Sequence, residues 1–273
     1  MNAFTELPAL RAAAAARCGT VHLVGAGPGD AELLTLRAAR LLARADAVVY
    51  DHLVGADVLA LVGAQALRVY VGKQRARHSL PQPRINALLV RLARAGREVV
   101  RLKGGDPGVF GRVGEELQAL AAAGVPVTVV PGVTAACGAA ACAGIPLTHR
   151  DFAQACIFVT GQRQDGSCEL DWAALARPRQ TVVIYMGLAG LERICAQLVA
   201  HGLPPDWPAA VVSQATLPRQ QLRCATLATL AQRAVGLESP SLVIVGEVVR
   251  LHAALGSGAD GRRVDADLAA CAA

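Results

Sequence analysis

The chain has 273 residues, a formal charge of +6 and 53% hydrophobic residues, drawn largely from Ala, Val and Leu, with only 3% aromatics. Such a length builds one large or two medium domains around a full core. So few aromatics leave little to stack nucleic-acid bases on, and no block of consecutive Lys/Arg marks a nucleic-acid tail, so no nucleic-acid partner is expected. The positive balance favours acidic ligands over cationic ones. No apolar run reaches the ~18–20 residues that span a bilayer, and the Ala-rich start lacks the basic and Leu/Val regions of a signal peptide. No membrane partner is therefore expected. The eight cysteines, at 18, 137, 142, 156, 168, 195, 224 and 271, form no CxxC pair, and the six histidines show no His-x-x-x-His spacing. We expect no metal, and free thiols in a reduced, cytoplasmic setting.

Met1 to Arg17 reads as a loose arm, and the expected organisation is an arm over 1–19, α/β domains over 20–132 and 133–252, and a disordered tail over 253–273. Order begins with the strand Thr20 to Val24, which runs into Gly25-Ala26-Gly27-Pro28-Gly29-Asp30. Leu34, Ala38, Leu41, Leu42 and Ala45 then repeat at helical spacing. Further strands are expected at Ala47 to Tyr50, Val69 to Val71, Glu98 to Leu102 and Val127 to Val130, with an amphipathic helix through Ile85, Leu88, Leu89 and Leu92. This alternation predicts a mostly parallel sheet covered on both faces. After Gly132 a small-residue helix, Thr134 to Ala143, opens the second half. Strands follow at 156–160, 181–186, 209–213, 221–225 and 242–245, and the close spacing of the last ones predicts a mixed sheet.

The stretch EVVRLKGGDPGVFGRVGEE, residues 98–116, gathers most of the candidate chemistry. Its strand stops at Lys103-Gly104-Gly105-Asp106-Pro107, where two glycines permit positive φ or close backbone approach to a ligand. A helix is expected to start near Arg112, with Glu115 and Glu116 favouring its first turn. Asp51-His52 and Gly72-Lys73 each close a strand, so they project at the same carboxyl edge, where open α/β sheets bind small ligands. GAGPGD admits an NAD-dependent oxidoreductase reading, with Asp51 where a ribose-binding acid would stand. Against it, the third glycine of Gly-x-Gly-x-x-Gly is replaced by Asp30. Arg68, Lys73, Arg75, Arg77, His78 and Arg84 form either a solvated face or the contact surface of an acidic ligand, which leaves a non-catalytic binder as another reading. Thr134, after Pro131-Gly132, is a candidate N-cap and ligand donor. Met186, before Gly187, is core filler or a ligand contact.

Taken together, VHLVGAGPGDAELLTLRA, VVYDHLV, VGK, VVRLKGGDPGVFGRVGEE, VVPGVTAACGAAACAGIPLTHRDFA, VTGQ and YMG resemble the tetrapyrrole methylase family, in order and at family spacing from about residue 20 to 250. The resemblance implies two α/β domains with the active site in the cleft between them, S-adenosylmethionine as cofactor and a homodimer. It implies two methyl transfers to the tetrapyrrole uroporphyrinogen III, giving precorrin-2 on the route to sirohaem, cobalamin or haem d1. A later corrin-ring methylase is the alternative within the superfamily. By motif match, Pro28, Gly104, Gly105, Asp106, Val109, Thr134, Ala135, Met186 and Ala215 are implied cofactor contacts. Asp51 and Lys73 match the proton acceptor and donor, with Arg112 a third catalytic candidate, and Arg112, Glu115 and Arg150 match substrate-side residues. Departures are Gly108 for a usual Phe, Val113 and Ala215 for usual glycines, and Gln162 for a usual His. The dehydrogenase–chelatase half of fused sirohaem synthases is not expected in this sequence.

Overall fold

The computed structural model describes residues 18–72, 80–161 and 169–252. Lys73, Gln162, the cations 75–78, the arm up to residue 17 and the tail from residue 253 lie outside the described residues. Two compact units divide at Val133/Thr134.

In the first unit the elements are β1 (Val21–Gly25), α1 (Leu36–Arg44), β2 (Ala47–Tyr50), α2 (Ala56–Ala60), β3 (Leu67–Tyr70), α3 (Gln82–Arg94), β4 (Val99–Lys103), α4 (Val113–Ala122) and β5 (Val127–Val130). The five strands pair only in parallel, in the order β3-β2-β4-β1-β5. Side chains alternate across such a sheet, so each strand feeds two cores. Val21, Leu23, Ala47, Val49 and Val99 pack with α3 and α4; Val24, Val48, Val100 and Leu102 pack with α1 and α2. Arg101 and Lys103 share the parity of Val99, so two cations enter the layer beneath α3 and α4, where both are buried. The Thr35 hydroxyl caps α1 by accepting from the Ala38 N–H at 3.1 Å. The helix expected near Arg112 starts one residue later, because Arg112 itself adopts a left-handed φ of 57°.

This topology fixes where a ligand can sit. The helix that follows β1 crosses one face of the sheet and the helix that follows β4 crosses the other, yet β1 and β4 are neighbours. A crevice opens at the carboxyl ends of two strands whose connections diverge in this way. GAGPGD and GGDP are the two segments that leave those ends.

The second unit contains α5 (Ala135–Ala143), β6 (Ala155–Thr160), α6 (Trp172–Leu175), β7 (Gln180–Tyr185), α7 (Leu191–Ala200), β8 (Pro208–Ser213), β9 (Gln221–Thr226), α8 (Leu230–Arg233) and β10 (Ser241–Val245). Its sheet runs β6-β7-β10-β8-β9, with β6 and β7 parallel and the other pairs antiparallel. One face carries α6, α7 and α8, and the other carries α5. Helix α7 has no counterpart in the sequence reading, although Leu191, Ile194, Cys195 and Leu198 stand at i, i+3, i+4 and i+7 and are all buried. Burial pushes the thiols of Cys195 and Cys156 up to about 11, as suits cysteines that serve as small apolar side chains. No helix among the described residues is long and apolar enough to cross a membrane.

Candidate active site

Three turns meet at the carboxyl edge of the first sheet, and they meet glycine to glycine. Gly27 and Gly105 form an antiparallel bridge: the Gly105 N–H donates to the Gly27 carbonyl at 2.7 Å, and the Gly27 N–H to the Gly105 carbonyl at 3.2 Å. A Cβ on Gly132 would stand 2.4 Å from the Gly105 carbonyl oxygen, and one on Gly25 2.6 Å from the same atom. The Asp106 carboxylate completes the lock by accepting from the Gly108 N–H at 2.7 Å and the Gly132 N–H at 3.0 Å. These glycines and Asp106 thus hold GAGPGD, GGDP and the Pro131-Gly132 turn together, a close backbone-to-backbone approach that the expectation of positive φ or ligand approach did not include. Gly132→Ala should cost about 1–3 kcal/mol by overpacking against a backbone that cannot yield. Gly108→Ala, whose Cβ would meet only the Asp106 side chain at 3.1 Å, is the control. Equal melting temperatures for the two variants would refute the lock.

The same geometry weighs against a dinucleotide at GAGPGD. A short 3-10 turn, Ala31–Leu33, follows the loop, and the Asp30 carboxylate accepts from the Glu32 N–H at 2.9 Å. One N–H just after the glycines, that of Glu32, is thereby claimed by a carboxylate of the chain itself, where a pyrophosphate would need it.

Beneath the lock lies a chain of charges. Glu116, on the first turn of α4, is fully buried, and its Oε1 accepts from Lys103 Nζ at 3.0 Å, Arg101 Nε at 3.1 Å and Gln82 Nε2 at 3.1 Å. Its Oε2 accepts a second bond from Lys103 Nζ at 3.0 Å. Burial, followed by the neighbouring Arg101 cation, pulls the Lys103 ammonium below its usual range, against the opposing pull of Glu116. Arg101 also reaches Asp51, Nη2 to Oδ2 at 3.4 Å. The other Asp51 oxygen accepts from the Leu53 N–H at 3.2 Å, an Asx turn that holds the carboxylate at the end of β2. Sequence reading took Glu115 and Glu116 as equivalent first-turn acids, but only Glu115 faces solvent. Its carboxylate takes the Arg112 fork in two 2.7 Å bonds, from Nε and Nη2.

The structure places Pro28, Gly104, Gly105, Asp106 and Asp51 at one sheet edge, with Val109, Arg112 and Glu115 on the segment that leaves it for α4. In the second unit, Tyr185 closes β7, and its hydroxyl accepts from the Ala136 N–H at 3.0 Å and shares a 2.7 Å bond with the Thr134 hydroxyl. Thr134 therefore occupies the cap position of α5 without capping it; the Tyr185 hydroxyl does so from across the fold. Tyr185 is a residue the sequence reading missed, since nothing local ties it to position 136. Met186 follows with φ 55°, its residue 52% exposed, which excludes the core-filler reading. Ala215 leaves β8 at the same sheet edge, between Gln214 and Thr216 in left-handed conformations. Since Ala215 is not itself in that region, alanine serves where glycine is usual. Arg150 stands apart from these. It is exposed in the tight turn between His149 and Ala153, and its carbonyl accepts from Arg179 beside the amino end of β7.

Backbone turns locked at a switch point beside a part-exposed carboxylate are, in the first unit, the features of an α/β sheet edge suited to a small ligand. The chain matches the tetrapyrrole (corrin/porphyrin) methylases over residues 20–231 and belongs to that family. The siroheme synthase of Nitrosospira multiformis is 60% identical over 236 residues, which are 86% of this chain and 50% of that protein. The chain thus spans about half the length of the curated relatives it matches. The native structure of the uroporphyrin III C-methyl transferase of Thermus thermophilus is 46% identical with a TM-score of 0.75, covering 85% of this chain and 100% of that one. A structure of the enzyme from the same organism complexed with S-adenyl homocysteine is 45% identical, also with a TM-score of 0.75, over 85% and 94% of the two chains.

Proposed function

We propose that this chain transfers methyl groups from S-adenosylmethionine to two carbons of uroporphyrinogen III, giving precorrin-2. The observation that carries this reading is the 46% identity with the Thermus thermophilus enzyme over that chain's whole length. The residues present fit such a cofactor. Met186 offers an exposed, polarizable sulfur, Thr134 and Ala135 stand at the start of α5, and Gly104 follows the end of β4 at the sheet edge. When bound, S-adenosylmethionine supplies an electrophilic methyl on a positive sulfonium. That charge vanishes as the methyl leaves, so neutral backbone and thioether contacts suit the transfer better than a carboxylate clamp.

Pyrrole carbons of the macrocycle are electron-rich enough to attack without activation, so positioning supplies much of the rate, up to ~7–11 kcal/mol for ideal alignment. A base must then take a proton as the double bonds rearrange. Asp51 is our candidate, held at the strand end by Leu53 and Arg101, with Lys73 the proton donor by motif match. Arg112, Glu115 and Arg150 are assigned to the substrate, whose eight carboxylates match guanidinium forks. Pro28, Asp106, Val109 and Ala215 complete the proposed cofactor positions. We further propose a cytoplasmic homodimer, to be tested by sedimentation. A later corrin-ring methylase remains the competitor. Anaerobic incubation with uroporphyrinogen III and S-adenosylmethionine should give a product heavier by two methyl groups; no mass gain on this substrate would overturn the reading.

Met186→Ala separates ligand contact from packing. Because the residue is half exposed, stability should stay within the ±0.5 kcal/mol range of surface changes. S-adenosylhomocysteine affinity by calorimetry should fall. Unchanged affinity in the variant would remove Met186 from the site.

A further inference from the structure

Asp51, Arg101, Glu116 and Lys103 form one unbroken chain of ion pairs, at 3.4, 3.1 and 3.0 Å in that order. Only Asp51 opens to solvent, its side chain 26% exposed against 4%, 0% and 5% for the others. The proposed chemistry uses Asp51 and leaves the buried three without a task. Stability alone does not explain them, since well-packed apolar residues often replace a buried ion triad at no cost or with a gain. Their arrangement is graded. Arg101 divides its charge between two carboxylates, closer to Glu116 than to Asp51, and Lys103 bonds both Glu116 oxygens and so weakens that carboxylate's claim on Arg101.

We propose that Glu116 and Lys103 are positioning residues that set, through Arg101, how firmly Asp51 is held as a carboxylate ready to take a proton. The inference rests on the reading of Asp51 as the proton acceptor. Its signs are opposite for the two residues. Without Lys103, Glu116 keeps Arg101 as its one described cation and draws it from Asp51, and a nearby positive charge is lost as well; both effects make Asp51 easier to protonate. Without the Glu116 charge, Lys103 loses the carboxylate that opposes its burial and sheds its proton more readily. Arg101, no longer shared with a second carboxylate, is released to Asp51, which makes Asp51 harder to protonate. Among the described residues, the other groups that act on Asp51 are Lys103 itself and Tyr70 of β3, whose phenol burial and Asp51 keep above its usual range, hence neutral throughout.

Carboxyl-labelled aspartate in the full chain allows the Asp51 resonance to be titrated by NMR, once assigned by its loss in Asp51→Asn. Its midpoint should rise in Lys103→Met and fall in Glu116→Gln, each by on the order of one pH unit, and the acid limb of the methyl-transfer rate should follow. Lys103→Arg should restore the midpoint. A triad that serves structure alone would lower melting temperatures and leave both midpoints in place, which overturns the proposal, as do shifts of the same sign. If Glu116→Gln does not fold, Lys103→Met and its Lys103→Arg rescue decide alone: an upward shift reversed by arginine supports the proposal, and no shift overturns it. Should Asp51→Asn keep full turnover and its acid limb, the reading of Asp51 as acceptor fails, while the titration still judges the triad.

Discussion

Glu116→Ala should destabilise the protein by about 3–5 kcal/mol, the usual cost of breaking a buried charge cluster by removing one partner. Glu115→Ala, one residue away on the same helix, should leave the melting temperature essentially unchanged. The two carboxylates differ in surroundings and not in chemistry. Glu116 satisfies Lys103, Arg101 and Gln82 without access to water, so its loss strands two cations at the carboxyl end of β4. Lys103 can relieve part of that cost by losing its proton, and Arg101 keeps Asp51, which places the effect nearer the lower end of the range. Glu115 pairs with Arg112 in solvent, where water replaces the lost bonds. Thermal melts of both variants at neutral pH make the comparison; a small effect at position 116 would mean that the cluster relaxes into solvent or repacks.

That difference is legible in the sequence. Val113, Glu116, Leu117 and Leu120 follow i, i+3, i+4 and i+7, the buried stripe of α4. A glutamate within an apolar stripe needs a buried cation, and Arg101 and Lys103 share the parity of Val99 on the neighbouring strand. The strands and their order of appearance came through because period two and period 3.6 are local properties. The pairing of Gly27 with Gly105, the approach of Gly132 to Gly105 and Gly25, and the capping of α5 by Tyr185 did not. Each joins residues tens of positions apart, and a glycine beside another backbone looks in sequence like a glycine beside a ligand. Gly105 shows the consequence: at φ 67° it already requires glycine for the bridge with Gly27, so any substitution there strains the backbone before a ligand is considered. The departures at Gly108 and Val113 are benign for similar reasons. Gly108 does not adopt positive φ, and Val113 packs its side chain against the core beneath α3 and α4.

Arg112→Lys should lower kcat/KM for uroporphyrinogen III by roughly 10- to 150-fold, the loss of a charged hydrogen-bonding fork worth about 1.5–3 kcal/mol. Arg112 is exposed at the mouth of α4, and its left-handed φ turns the chain into the helix. The bidentate bond to Glu115, whose carboxylate is the main reason the guanidinium is held above its usual range, keeps the fork ordered and charged. A substrate carboxylate can use the remaining guanidinium N–H groups or take the place of Glu115, because a solvent-exposed pair is cheap to rearrange. Lysine offers a point charge without the planar fork and recovers only part of the contact. Arg150→Lys should act in the same direction from a different part of the fold, since the macrocycle spreads eight carboxylates around its rim. Neither change should alter S-adenosylhomocysteine affinity, because the proposed cofactor positions are mainly backbone and the Met186 sulfur. Steady-state kinetics in both substrates, with calorimetry on the same preparations, separates the two ligands. A collapse of cofactor affinity with unchanged macrocycle kinetics would show that Arg112 serves the cofactor and that the substrate lies elsewhere.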